Sequence, residues 1–499
     1  MKKKIAIVRG CNLNKWEMQN YETLSDSYDI TAYTTRPSKF DISQIEFPVV
    51  QLSFQSSGLT LYLEGLEEHL ADKELIYTAD TSWLFSAQAI VAKERYGCKV
   101  ICMVWENIPF NHEDNKVISR IKEIVRNSAD HFITVTERAK EVLMLEGVPE
   151  RIIDVIPMGV DLSKFRPNSR HLMKDREELM ISSEDIVILF IGRMEWEKGV
   201  YNLVHAAGRI LGDSSLKNLP IKFLLTGNGV ELNMLRERAM RLEISDRIIF
   251  LDSYPYDKMH RLYNLADIFI LPSIPNIAWQ EQFGMVLVES MACGKPVIST
   301  LSGSIPEVVG DAGILIQPND HLSLYRAIKK LILDKDLRDS LGKEALKRAV
   351  NNFDSKHTAE RAGEVFEKVL LRKTLNEDIK TVYEQGLIFW KNSEQEKGFQ
   401  MVCRAFNEDP DNKEVLDSIV RMGSKINKLT EVEKSLREYL NYHPANIETL
   451  ITMAETLFCL GKKEEAEEEL QKVFLFDPEN KKAVALKEEI KKESGVMVD

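Results

Sequence analysis

Up to about residue 370, short apolar runs alternate with longer mixed stretches. The runs are KIAIVR, ELIYT, KVICMVW, HFITVT and IDVIPM, then IVILFIG, IKFLLTG, RIIFL, DIFILP and PVIST. Within each run there is little polar–apolar alternation, so both faces of the strand must be covered. The mixed stretches have the spacing of amphipathic helices, and strand–helix alternation predicts parallel, doubly wound sheets. The pattern breaks at 159–185, a polar stretch containing Pro167, which reads as the passage between two α/β domains. The expected fold class is α/β, two doubly wound Rossmann-like domains facing a cleft. Ligands of such sheets sit beyond the carboxyl ends of the strands.

From about residue 378 the strands stop and charged amphipathic helices take over. DPDN, HPAN and DPEN recur there, with Pro410, Pro444 and Pro478 spaced by 34 and 34 residues. That is the tetratricopeptide period, in which helix pairs stack and Pro ends the second helix. Gly386, Val420 and Ala454 take the small position of the first helix, and Gly398, Val432 and Ala466 that of the second. The expected domains are α/β domains at 1–165 and 166–352, a helix and linker at 353–377, and an all-α tetratricopeptide-like repeat region at 378–499. The repeats are expected to bind a protein partner or to mediate self-association through their concave face.

Composition narrows the function. The chain has 499 residues, 44% of them apolar, enough for sizeable cores, and its net charge of −12 argues against a general nucleic-acid binder. Six cysteines, at 11, 98, 102, 293, 403 and 459, include no CxxC pair. Their spacing suggests neither a zinc site nor a disulfide framework. No window approaches the ~20 apolar residues of a membrane span, and a cytoplasmic protein is expected. The segment 115–127 carries Lys116, Arg120, Lys122 and Arg126 opposite Val117, Ile121, Ile124 and Val125. Such a helix can meet anionic lipid at the inner membrane face, or simply be a solvated helix face.

The chemistry concentrates in WQEQFGMVLVESMACGKPVIST, which places Glu281 and Glu289 eight positions apart. MVLVESMACG suits a helix stopped by Gly294. Phe283 and Gly284 then sit at its start, where unpaired N–H groups and the positive dipole end favour an anion. One carboxylate lies at the helix mouth and the other about one and a half turns in. Two acceptors flanking a phosphate-friendly helix end match the layout of a nucleotide sugar: sugar, diphosphate, ribose.

This segment resembles the signature of glycosyltransferase family 4, the retaining group with the GT-B fold, which has a glutamate, seven residues and a second glutamate, with Phe-Gly after the first. FIGRMEWEKGV, LLTGNGVELNML, YNLADIFILPS, LSGSIPEVV and VIPMGVDLSKFRP are also similar to family segments. The likeness is dense over about 150–350, looser over 1–150, and does not reach the repeats; it implies an acceptor-side domain at 1–165, a donor domain at 166–352 and a terminal helix within 353–377 that packs back on the first domain. It implies that Arg193 and Lys198 contact the donor diphosphate, Glu281 the donor sugar and Glu289 the ribose. Backbone N–H groups around Phe283, Gly284 and Met285 would face the phosphates, with Gly227 in the Gly-x-Gly turn and Gly10 in the loop after the first strand. That loop has one glycine where many family members have two.

Where many members end a strand with His, this chain has Trp105-Glu106-Asn107, and Glu106 or Asn107 would orient the acceptor or the donor sugar. His112 is expected in a loop. No cluster has metal-ligand spacing, and DPD at 409–411 falls in a repeat turn, so no metal and no cofactor is expected. The resemblance implies a metal-independent hexosyltransferase that uses a nucleotide-diphosphate sugar and a glycan or lipid-linked acceptor, in cell-surface polysaccharide or glycoconjugate synthesis. The alternatives are an inactive GT-B scaffold that assembles proteins through its repeats, or a synthase or phosphorylase relative. No motif for a pyridoxal phosphate lysine supports a phosphorylase.

Overall fold

In a computed structural model, which describes residues 2–57, 60–371, 377–444 and 446–493, the chain divides into two compact units. One is Met1–Leu143 with Ile153–Glu367, the other Met144–Ile152 with Lys368–Asp499.

The first unit holds two parallel sheets. Nine strands come first: β1 Lys3–Gly10, β2 Tyr28–Thr35, β3 Val49–Leu52, β4 Phe54–Ser57, β5 Thr60–Leu63, β6 Leu75–Ala79, β7 Lys99–Val104, β8 His131–Thr134 and β9 Ile153–Val155. Seven form a sheet in the order β3-β2-β1-β6-β7-β8-β9, while β4 and β5 pair as a separate antiparallel hairpin. The second sheet contains β10 Ile186–Ile191, β11 Ile221–Thr226, β12 Ile248–Leu251, β13 Ile268–Leu271, β14 Val297–Thr300 and β15 Gly313–Ile316, in the order β12-β11-β10-β13-β14-β15. Ile5 to Val8, Val187 to Phe190 and Ile268 to Ile270 are all fully buried, so the runs without alternation are strands covered on both faces.

Both sheets reverse strand order once, between β1 and β6 and between β10 and β13. A doubly wound sheet opens a crevice at that point, beyond the strand carboxyl ends. The α/β class and the two Rossmann-like sheets expected from the sequence are present. The sequence pattern missed β2, β3, the hairpin and β15. YDITAYTT mixes polar residues into its run and GILI is only half-buried, so neither reads as a covered strand. The helix Ser355–Leu371 lies against the first sheet's domain. Thr358 Oγ1 donates to the Pro157 carbonyl at 2.9 Å, and Phe366 packs against Tyr77.

Among the described residues of the second unit seven α-helices follow one another: Glu377–Lys391, Gln395–Glu408, Lys413–Lys425, Leu429–Tyr442, Ile447–Cys459, Lys463–Phe476 and Lys481–Glu493. Each recurring motif has a division of labour. Its proline lies just past a helix end, and its asparagine (Asn412, Asn446, Asn480) caps the next helix by accepting a backbone N–H. Gly386 and Gly398 let the first two helices touch, since a Cβ on Gly398 would lie 2.7 Å from the Gly386 carbonyl oxygen. In the next pair the close approach is made by Gly423, whose Cβ would lie 2.4 Å from Val432, rather than at Val420.

Candidate active site

The residues singled out in the second domain converge at its switch point. The loop after β10 carries Arg193 and Lys198, and the loop after β13 carries Ser273 and Glu281. Lys198 Nζ and Ser273 Oγ both donate to Glu281 Oε2, each at 2.7 Å. The Lys198 ammonium also sits 4.5 Å from the centroid of the Trp279 ring, a cation–π contact. Gly199 directly after Lys198 is backbone-constrained: its φ is +69° and a Cβ would lie 1.9 Å from the Pro272 carbonyl oxygen. The β10 and β13 loops are thereby packed backbone to backbone, which fixes the lysine beside the glutamate. Arg193 points elsewhere. It is half exposed and paired with Glu195 and, at 3.2 Å, with Glu197.

Gly284 has φ +87° and begins the helix Met285–Ala292. The first N–H groups of a helix have no acceptor within it, so this end faces the Glu281 loop as an anion-ready surface. The Phe283 ring is buried edge-on between Trp105 and Phe353, so its side chain is packing. Gly227 holds the turn beside Arg193, with φ +137° and a Cβ position 1.9 Å from the Gly192 carbonyl oxygen.

Glu289 is 3% exposed. Its Oε1 accepts from Tyr256 at 3.0 Å and its Oε2 from Tyr263 at 2.6 Å. Tyr256 in turn accepts from Gln19 of the first domain at 3.1 Å. Burial raises the Glu289 carboxyl to about 7, against the pull of the two tyrosine hydroxyls. An acid raised in this way keeps a proton in the folded state that the unfolded chain releases between about pH 4.3 and 7, so stability falls as pH rises through that window. Glu289→Gln carries no such charge. Relative to the native protein it is expected to gain stability from pH 5 to 8, reaching ~3 kcal/mol. Parallel melting curves over that range would contradict this reading.

From the first domain, Asn107 enters the same site. It is 1% exposed, and its Nδ2 donates to the Glu281 carbonyl oxygen at 2.9 Å. Glu106 turns into its own loop, where Oε1 accepts the N–H groups of Asn107 and Ile108, each at 2.9 Å, and Oε2 accepts Asn111 Nδ2 at 2.8 Å. Burial raises its carboxyl. Gly10 has φ +51°, and the place of its Cβ is filled by the Phe85 ring 2.7 Å away. One residue earlier, Arg9 forms a buried ion pair with Glu17, its Nη2 donating to Oε2 at 2.8 Å. His112 lies exposed in a turn.

Sequence reasoning passed over Ser273, Tyr256, Tyr263, Trp279 and Gln19. Tyr263 and Ser273 begin and end YNLADIFILPS, so that segment contained two partners of the glutamates. Tyr256 begins a one-turn 3-10 helix and Gln19 ends a four-residue helix, both too short for periodicity to give a signal. On the helix Lys116–Ser128, Lys122 and Arg126 pair with Glu113 and Arg120 with Glu123, so three of its four cations are matched by glutamates. Among the described residues no group of three His, Cys, Asp or Glu side chains could hold a metal ion. No described helix is long and apolar enough to cross a membrane.

Comparison with known proteins gives two family matches. Residues 173–348 match the family described as glycosyl transferases group 1, and 33–164 match glycosyltransferase family 4. The chain is 33% identical over 256 residues to the D-inositol 3-phosphate glycosyltransferase of Corynebacterium jeikeium, a match covering 50% of this chain and 59% of that protein. The chain spans little more than half the length of the curated relatives it matches. Among solved structures, Anabaena HepE in complex with UDP superposes with a TM-score of 0.62 at 18% identity, over 73% of this chain and 100% of that one. Its complex with UDP-glucose gives 0.61 at 18%, over 73% and 99%. At that identity the likeness is one of fold.

Proposed function

We propose that the chain, whose residues 173–348 match glycosyl transferases group 1 and 33–164 glycosyltransferase family 4, moves a hexose from a nucleotide-diphosphate sugar to a hydroxyl acceptor, with retention and without a metal. The observation that carries this is the Lys198–Glu281–Ser273 cluster at the switch point of the second sheet, beside the start of the helix Met285–Ala292. Breaking a glycosidic bond to a diphosphate builds negative charge on the leaving oxygens, and a fixed cation there lowers the barrier. Lys198 has three N–H donors, so it can keep Glu281 and still meet a phosphate. The helix start would take the remaining phosphate charge, with Arg193 swinging in from its glutamates. Glu281 accepts from the donor sugar hydroxyls. Glu289 accepts from the ribose, which requires Tyr256 to move aside. The acceptor's proton passes to the donor phosphate, so no protein nucleophile is needed, and cleft closure keeps water out.

UDP and UDP-glucose in the structural relatives support a uridine donor. The curated relatives act on D-inositol 3-phosphate by name, which supports a polyol or glycan acceptor. A lipid-linked glycan for a cell-surface polymer, handled in the cytoplasm or at the inner membrane face, fits the same chemistry. The tetratricopeptide-like helices would recruit a protein partner or a second copy. The test is release of UDP from UDP-glucose over a panel of phosphorylated polyol and glycan acceptors, with chelator present. Acceptor-dependent release that disappears in Glu281→Gln is expected. Absence of release with UDP-, GDP- and ADP-sugars alike would contradict the proposal.

A further inference from the structure

The loop after β14 joins the two Rossmann-like domains at the point where Glu281 is held. The Ser304 N–H donates to the Glu281 carbonyl at 2.9 Å, and Asn107 Nδ2 reaches both that oxygen, at 2.9 Å, and Ser304 Oγ, at 3.3 Å. Ser304 Oγ also lies 3.2 Å from Thr136 Oγ1. Three residues on, Glu307 spans to the first domain's helix Glu137–Leu145. Its two carboxylate oxygens accept the N–H groups of Glu137 at 2.8 Å and Arg138 at 3.4 Å. These are amides that a helix start leaves without an internal acceptor, and the dipole there favours a carboxylate. Thr136 Oγ1 accepts a third, from Ala139, at 3.1 Å. The Arg138 side chain bonds back to the Asn107 carbonyl at 3.3 Å. A carboxylate of one domain therefore caps a helix of the other, and the chain of bonds ends on the backbone of Glu281. Gly303 makes this possible: its φ is +55°, and a Cβ would lie 2.1 Å from the Glu281 carbonyl oxygen.

We infer that Glu307, Ser304 and Asn107 form a clasp between the domains, and that closing the cleft is what sets Glu281 in place against Lys198. They are positioning residues: Ser304 and Asn107 hold the Glu281 backbone directly, and Glu307 acts on it through Arg138 and Asn107. With the domains apart, the Glu281 carbonyl loses Asn107, and the start of the helix Glu137–Leu145 loses the carboxylate on its first two amides. The effect on rate rests on the proposed donor-transfer reading, while the effect on closure does not.

The test compares the full-length native protein with Glu307→Ala, Glu307→Gln and Asn107→Ala. Small-angle scattering without ligand reads closure, calorimetry with UDP, GDP and ADP reads nucleotide binding, and UDP release from UDP-glucose reads turnover. Glu307→Ala and Asn107→Ala are expected to enlarge the radius of gyration and to lower kcat by up to ~10²-fold, because a displacement of about 1 Å at reacting groups costs that much. UDP affinity should stay within about twofold, a split that a merely destabilised protein would not produce. Glu307→Gln keeps one acceptor and its size, so it should fall between, and it serves if the alanine variant does not fold. An unchanged radius and unchanged kcat in Asn107→Ala and Glu307→Gln would overturn the clasp. If the native protein binds none of UDP, GDP and ADP, the donor reading fails, and the scattering comparison alone decides for or against the clasp.

Discussion

Lys198→Ala is expected to lower the rate of sugar transfer by about 10²–10³-fold, the usual loss when one fixed stabiliser of transition-state charge is removed. The loss should fall on kcat more than on KM, because the charge it answers grows as the bond to the diphosphate breaks. Stability will move as well. Lys198 and Glu281 are a largely buried pair at 2.7 Å, and removing one partner of such a pair leaves an uncompensated charge at a cost of up to ~3–5 kcal/mol. Glu281 retains Ser273 as a donor, which offsets part of that. The double variant Lys198→Met with Glu281→Gln removes both charges. It should recover most of the stability while staying inactive, which separates chemistry from folding. Arg193→Ala should cost less, since that side chain is 55% exposed and held away by Glu195 and Glu197. Steady-state kinetics beside thermal melts check this. Near-native kcat in folded Lys198→Ala would contradict the assignment.

Gly227→Ala is expected to be the most damaging single methyl addition near the site. Its φ of +137° is a conformation that side chains rarely adopt, and the added carbon would meet the Gly192 carbonyl oxygen at 1.9 Å. The neighbouring turns interlock further: Met194 donates its N–H to the Asn228 carbonyl at 2.9 Å, and Glu231 donates to the Met194 carbonyl at 3.0 Å. Pushing the turns apart displaces the segment that carries Arg193. The cost should reach ~3 kcal/mol or more, combining backbone strain with displaced neighbours, and nucleotide affinity should fall with it. Gly97→Ala is the control. Gly97 also has positive φ, +75°, but nothing lies within 4 Å of its Cβ position, so only ~1 kcal/mol is expected. Denaturant melts of both variants read the difference, and equal losses would show that the close approach to Gly192 is not what matters.

The two Rossmann-like sheets were legible because parallel strands covered on both faces must be written as unbroken apolar runs. Where cover is partial, as in β15, or polar residues intrude, as in β2, the signal failed. The recurring prolines marked helix ends, while the asparagine caps of the following helices became visible only in the structure. Lys198 and Glu281 were legible as members of motifs, but their mutual contact was not. It arises from the strand order β10-β13, which is long-range and has no local trace in the sequence. Glu289 was expected to face a ribose; in this structure both of its oxygens hold tyrosine hydroxyls, one from a single 3-10 turn too short for periodicity to describe. Glu106 looked like chemistry, yet its carboxylate organises its own loop, while Asn107 beside it reaches across to Glu281. Adjacent residues on a turn point in different directions, and only coordinates tell them apart.

The most direct test of the donor site is a thermal-shift titration of the full-length protein with UDP, GDP and ADP and their glucose conjugates in the presence of chelator. A ligand that binds only the folded state raises the melting temperature by mass action, by ~2.7 kcal/mol of added stability at a hundred times its Kd. The expected result is a saturable shift with one nucleotide base, uracil, that is lost in Glu289→Ala. No shift with any of them, in protein whose melt shows it to be folded, would contradict it.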